Sequence, residues 1–165
     1  MNDIVNVCNE VCQLGILIDH DVFYLAKVDS EQPINLVSTV GSKLPAYATA
    51  LGKALLSGHT NEEIKNYYKN KLKPITSHTI TNLDKLLDQI EKIRSEEIAY
   101  EWEEVNKDTG CLATPLRKKG RVIAAISVSF PLYRISEEKL DLIRKVLQEK
   151  RIVMEQLISQ LDLEF

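Results

Sequence analysis

The stretch from Cys111 to Phe130 constrains this chain most. Two β-like segments, Cys111 to Arg117 and Arg121 to Phe130, are separated only by Lys118-Lys119-Gly120, a connection short enough to force a tight antiparallel hairpin. In the second segment, alternation puts Val122, Ala124, Ile126, Val128 and Phe130 on one face and Ile123, Ala125, Ser127 and Ser129 on the other. The first face is apolar throughout. The second starts apolar and ends in two hydroxyls.

The remaining segments supply neighbours for that hairpin. Ile4, Val7, Cys8, Val11 and Leu14 recur at helical spacing before Gly15, which predicts an N-terminal helix over about 3–14. From Ile16 to Val28, two β-like stretches flank the polar cluster Asp19, His20 and Asp21, and a third strand is expected from Ile34 to Val40. The Ala- and Leu-rich run Pro45 to Ser57 reads as a helix, with Gly52 allowing close approach to another backbone. A short helix follows from Asn61, with Ile64, Tyr67 and Tyr68 on one face. Leu83, Leu86, Leu87, Ile90 and Ile93 form a clean helical stripe after the cap candidates Thr81 and Asn82. Ile98 to Glu104 reads as a strand, and Ser136 opens a closing helix whose expected buried face is Leu140, Ile143, Leu147, Met154, Leu157 and Leu161. The order helix, three strands, helices, three strands, helix gives an α+β architecture with one mainly antiparallel sheet of about six strands and helices packed on it.

Composition narrows the function classes. A chain of 165 residues, 44% hydrophobic and 27% charged, is expected to form one globular domain over 1–165. No apolar run reaches membrane-spanning length and no basic-then-apolar leader opens the chain, so a cytoplasmic protein without a membrane partner is expected. Twenty-one Lys and Arg against 24 Asp and Glu, net −3, argue against a protein that mainly coats nucleic acid. The basic cluster Arg117, Lys118, Lys119 and Arg121 reads as a solvated hairpin turn. Cys8, Cys12 and Cys111 form no CxxC pair, which predicts reduced thiols. Cys8 and Cys12 at i, i+4 have no matching ligand pair elsewhere, so no metal and no cofactor is expected.

Candidate chemistry gathers at one end of the sheet. If the faces of neighbouring strands coincide, Glu101, with Glu103 on its side, joins Cys111, Ser127 and Ser129 around a small hollow. Such side chains donate and accept hydrogen bonds to a small polar ligand but offer little catalytic power. Unpaired amides near Ala50 and Leu51, at a helix start, could hold a carboxylate or phosphate, although Leu51-Gly52-Lys53-Ala54 lacks the spacing of a phosphate loop. The rival reading is a small thiol-dependent enzyme using Cys111, yet His20, His59 and His78 have no spacing that marks a partner base. No catalytic residue is assigned.

The segment GSKLPAYATALGKALL from Gly41 to Leu56 resembles the signature of the IclR family of bacterial transcription regulators, in the effector-binding domain. IAYEWEE resembles that family's Tyr-x-x-Glu-Glu segment, and CLATPL with GRVIAAISVSFPLYRIS resembles its two following strands. The resemblance covers essentially the whole chain in order. It implies a GAF-like fold, a curved sheet with helices on both sides, and thiol use of Cys111 would then occur on that same fold. It also implies a winged helix-turn-helix domain ahead of this one, so that DNA would be touched only through that segment. Its further implications are a small carboxylate-bearing metabolite as effector and a homodimer or homotetramer. Carried over by motif, effector contacts fall on Ala50, Leu51, Glu101, Cys111, Ser127 and Ser129, with amide donors at Ala50 and Leu51 and Glu101 accepting from a ligand hydroxyl. Asp108 stands where the family usually has glycine, Thr109 where it has an apolar residue, and Phe130 where it has a small one. A more polar lid and a narrower site are the expected consequences.

Overall fold

The computed structural model describes residues 1–161. Helix α1 (Asn2–Cys8) ends at Asn9, whose φ of 49° is left-handed, and the chain then enters strand β1 (Val11–Ile18). The expected helix over 3–14 is therefore half strand. Val11 to Leu14 lie in a central strand paired on both sides, and a strand buried on both faces has no clean alternation to distinguish it from a helix. Strand β2 (Asp21–Val28) pairs antiparallel with β1 across the turn at Asp19 and His20, as anticipated.

The strand expected from Ile34 to Val40 does not form. The edge of β2 is taken instead by β3 (Lys43–Pro45), and residues 34–40 run irregularly over the sheet end. The helix expected from Pro45 divides at Thr49 into a 3-10 turn (Ala46–Ala48) and α2 (Ala50–Leu56). Thr49 Oγ1 caps α2 by accepting from Gly52 N at 2.9 Å. Gly52 is obligatory, because a Cβ there would lie 2.1 Å from the Ala46 carbonyl oxygen. Helix α3 (Asn61–Tyr68) starts with a Thr60–Glu63 capping box, and α4 (Leu83–Glu96) with the Asn82 side chain accepting from Lys85 N at 3.0 Å. Strands β4 (Ala99–Trp102), β5 (Thr109–Lys118) and β6 (Arg121–Pro131) follow, and Ser136 caps α5 (Glu137–Gln160).

All six strands form one antiparallel sheet in the order β3-β2-β1-β6-β5-β4. Each face carries its own core. Helices α2, α3 and α4 cover one face over Tyr24, Leu51, Leu55, Ala113 and Ala125. Helices α1 and α5 cover the other over Leu112, Ile126, Val128 and Phe130.

Three details depart from the expected faces. A bulge between Leu116 and Arg117 pairs Leu116 with Ala124 but Arg117 with Val122, leaving Ile123 as the extra residue. Val122 therefore joins the α2 face and Ile123 the α5 face. Phe130 lies in the α5-side core, 5.8 Å from the Trp102 ring, and does not narrow the hollow on the opposite face. On α5, Leu140, Ile143 and Leu147 are buried as expected, but Leu157 and Leu161 are exposed and Ile158 takes the inward position. Between α1 and β1 sits Glu10, fully buried, bound by Arg134 at 2.8 Å and by Lys139 at 2.5 Å. This knot ties the start of β1 to the start of α5.

Candidate functional site

Residues directly opposite in an antiparallel pair share a face, so strand register decides what the hollow contains. Glu101 pairs with Cys111 and Cys111 with Ser129; one row along, Ala113 pairs with Ser127 and Ser127 with Gln13. The α2 face of the sheet thus brings together Glu101, Cys111, Ser127 and Ser129, and the first turn of α2 adds Ala50 and Leu51. All six anticipated residues line one cavity. Its volume is about 30 Å³, within a depression of about 400 Å³ that includes open solvent. Leu36, Val37 and Ser38 of the irregular segment form part of its rim. Phe130 and Tyr133 do not occupy it.

The hydroxyls are not equivalent. Ser129 Oγ is 3.3 Å from Cys111 Sγ and 3.4 Å from Gln13 Oε1, so its one proton is already in use. Ser127 Oγ is fully buried and has no hydrogen-bond partner of normal geometry among the described residues, although it lies near enough to the Cys111 thiol to lower that group's pKa slightly against the effect of burial. A buried hydroxyl left alone costs about 1–3 kcal/mol, which makes it an unmet demand in this wall. Gln13 completes the floor, donating from Nε2 to Ser38 Oγ at 2.7 Å and so joining floor to rim. Burial pushes the Cys111 thiol up to about 12, leaving it neutral near pH 7 and a poor nucleophile.

The acidic end differs from the expected pattern. Strand β4 stops at Trp102, and Glu103 adopts a φ of 56°, so it does not share the inward side with Glu101. Glu103 instead accepts from Asp108 N at 2.8 Å, while Glu104 turns inward onto Lys53. Glu101 Oε1 accepts from Glu104 N at 2.5 Å and Val105 N at 3.4 Å. Burial raises its pKa to about 7, against the lowering effect of those amides. Gln13, which lines the cavity, was not legible in the sequence, nor was the buried pair of Lys53 on α2 and Glu104 behind its wall. A lysine between Gly52 and Ala54 in an apolar helix was the available signal, since a buried ammonium demands a buried partner. Asp108 has a φ of 60°, the left-handed conformation that glycine adopts freely, and Thr109 lines the cavity as a polar rim residue.

No group of three metal-ligating side chains occurs among the described residues, and no described helix is long and apolar enough to cross a membrane. The family model described as "Bacterial transcriptional regulator IclR C-terminal" matches residues 1–153. The chain belongs to the IclR family.

An IclR-family relative, the HTH-type transcriptional regulator KdgR of Escherichia coli, is 33% identical over 142 residues, which are 85% of this chain and 54% of that protein. The chain spans about half the length of the curated relatives it matches. Among solved structures, the IclR of Thermotoga maritima superposes with a TM-score of 0.89 at 33% identity, covering 95% of this chain and 64% of that one. The C-terminal domain of E. coli KdgR gives 0.81 at 31% identity, covering 92% and 88%. The α+β, GAF-like fold with helices on both sides of a six-stranded sheet is thus that of IclR C-terminal domains.

Proposed function

We propose that residues 1–165 form the sensing domain of a cytoplasmic transcription regulator, binding a small carboxylate-bearing metabolite in the cavity between α2 and the sheet. The bound state would be passed to a DNA-binding segment elsewhere in the regulator, within a homodimer or homotetramer. The observation that carries this reading is the orphaned hydroxyl of Ser127, fully buried in a cavity wall of hydrogen-bonding groups. The likeness to HTH-type regulators supports the regulatory half. A structural neighbour, an IclR homologue from Microbacterium hydrocarbonoxydans, is a complex with 4-hydroxybenzoate; at 22% identity that likeness carries the fold, and the ligand class rests on the cavity here.

In this reading the first-turn amides of Ala50 and Leu51 and the Ser127 hydroxyl receive the carboxylate, since amides at a helix start point outward at an anion. Ser129, Cys111 and Gln13 shape the floor, and Thr109 and Ser38 the rim. A ligand affects DNA binding only by favouring one arrangement of the assembly over another. A thermal-shift screen against keto acids, sugar acids and aromatic acids tests it. A saturating ligand should raise the Tm, because binding to the folded state alone stabilises it. The gain should shrink in Ser127→Ala. No shift from any acid in the folded domain overturns the reading.

A further inference from the structure

An odd number of charges is sealed behind the cavity wall. Lys53 of α2 is fully buried, and its ammonium is bound by Glu104 Oε1 and by the Tyr100 carbonyl at 3.3 Å. Glu104 is 5% exposed, and its other oxygen accepts from Ile80 N at 3.3 Å. Glu101 is 6% exposed and makes no ion pair among the described residues, the Lys53 charge acting on it from beyond ion-pair distance. Two carboxylates and one ammonium are thus buried together, and the ammonium sits on Glu104. The other titratable groups facing Glu101 are Cys111 of β5 and Tyr24 of β2. Burial raises both, so neither brings positive charge or acquires negative charge near neutral pH. Among the described residues no Lys or Arg lines the cavity.

A buried carboxylate without a cation takes up a proton rather than remain ionised. The geometry also says where. Oε1 of Glu101 is held as an acceptor by the amides of Glu104 and Val105, so Oε2 is the oxygen left to carry a hydrogen, and Glu101 lines the cavity.

We propose that Glu101 holds a proton on Oε2 in the unliganded domain, where it serves as a hydrogen-bond donor, and that an acid ligand is bound as its anion together with that proton. The cavity then meets a carboxylate with donors from Glu101 and Ser127, and needs no cation. The proton comes from solvent and returns there when Glu101 ionises. Glu101 is thereby a donor, the reverse of the acceptor role that the family resemblance implied. The ligand half of this inference rests on the sensing reading above; the protonation of Glu101 does not. The rise of the Glu101 pKa by burial agrees with it. Once Glu101 is ionised, affinity for an anion should fall about tenfold per pH unit.

Carboxyl-detected NMR of the domain labelled with ¹³C-glutamate decides the first half without any ligand. One glutamate should titrate between pH 6 and 8, and its signal should be absent in Glu101→Gln. In Glu104→Gln, which leaves one carboxylate for one ammonium, the Glu101 midpoint should drop by more than about one pH unit. A wild-type domain in which every glutamate is ionised by pH 6, or a midpoint unmoved in Glu104→Gln, overturns the proposal. Glycolate, pyruvate and benzoate in excess then probe the ligand half by thermal shift at pH 6 and pH 8. A Tm gain that is lost at pH 8 in wild type but not in Glu101→Gln supports coupling. A gain equal at both pH values in wild type overturns it. No gain from any of the three counts against both the sensing reading and the ligand half, while the NMR midpoint still decides the protonation.

Discussion

Ser127 sets the chemistry of the cavity through what it lacks. Its hydroxyl is fully buried without a partner, so removing it takes away a group that already weakens the fold. Ser127→Ala should leave urea stability unchanged or raise it by about 1 kcal/mol, while weakening the binding of any acid that shifts the wild-type Tm. A loss of stability of similar size would mean that the hydroxyl is satisfied after all. At Glu101 the pH dependence has a definite sign. Its folded pKa is raised from 4.5 to about 7, so its stabilising contribution is complete below about pH 4.5 and is lost as pH rises through about 7. Between pH 5 and 8 wild-type urea stability should fall more steeply than that of Glu101→Gln, by at most about 3 kcal/mol. Parallel curves for the two proteins would contradict this. Of the cavity residues, those on β5 and β6 were legible because strand alternation is local. Gln13 was not, because the apolar residues of β1 recur at helical spacing; nor was Lys53 behind the cavity wall, whose partner Glu104 is 51 residues away in sequence.

At the scale of elements, Gly52 gives the sharpest test. Glycine costs a helix interior about 1 kcal/mol relative to alanine, so on propensity alone Gly52→Ala should stabilise α2. The Cβ would lie 2.1 Å from the Ala46 oxygen, and overpacking against backbone outweighs that gain. Gly52→Ala should lower urea stability by about 2 kcal/mol or more, and a gain would show that the 3-10 turn can move aside. The elements most legible in the sequence were those with local punctuation: α4 behind Asn82, α5 behind Ser136, and the hairpin closed at Lys119 and Gly120. Those that failed depend on partners distant in sequence. The apolar residues of 34–40 suggested a strand, but the β2 edge was occupied by β3, and these residues serve the cavity rim instead. The outer half of α5 misled in another way: Leu157 and Leu161 continue the helical repeat but turn away from the sheet, while Glu155 faces it and accepts from Arg117 N at 2.8 Å.

Across the whole molecule, the sheet is braced at the junction of its central strands with the α5 side. Glu10 stands just ahead of β1, and Arg134 and Lys139 just beyond β6, the two strands that carry Gln13, Ser127 and Ser129. Glu10→Gln would leave two cations around a neutral side chain, a loss of about 3 kcal/mol in urea stability. Added salt should restore part of it, because Arg134 and Lys139 retain some exposure and their repulsion is screened. Salt-independent destabilisation would instead indicate lost packing. The sheet also separates two cores, with the cavity on the α2 side. Alternation lets neighbouring residues of one strand answer to different demands, Ser127 and Ser129 to the cavity and Val128 and Phe130 to α1 and α5. A lineage built on this plan could exchange the chemical it detects by drift on one side of a single-layer wall, leaving the other side unaltered.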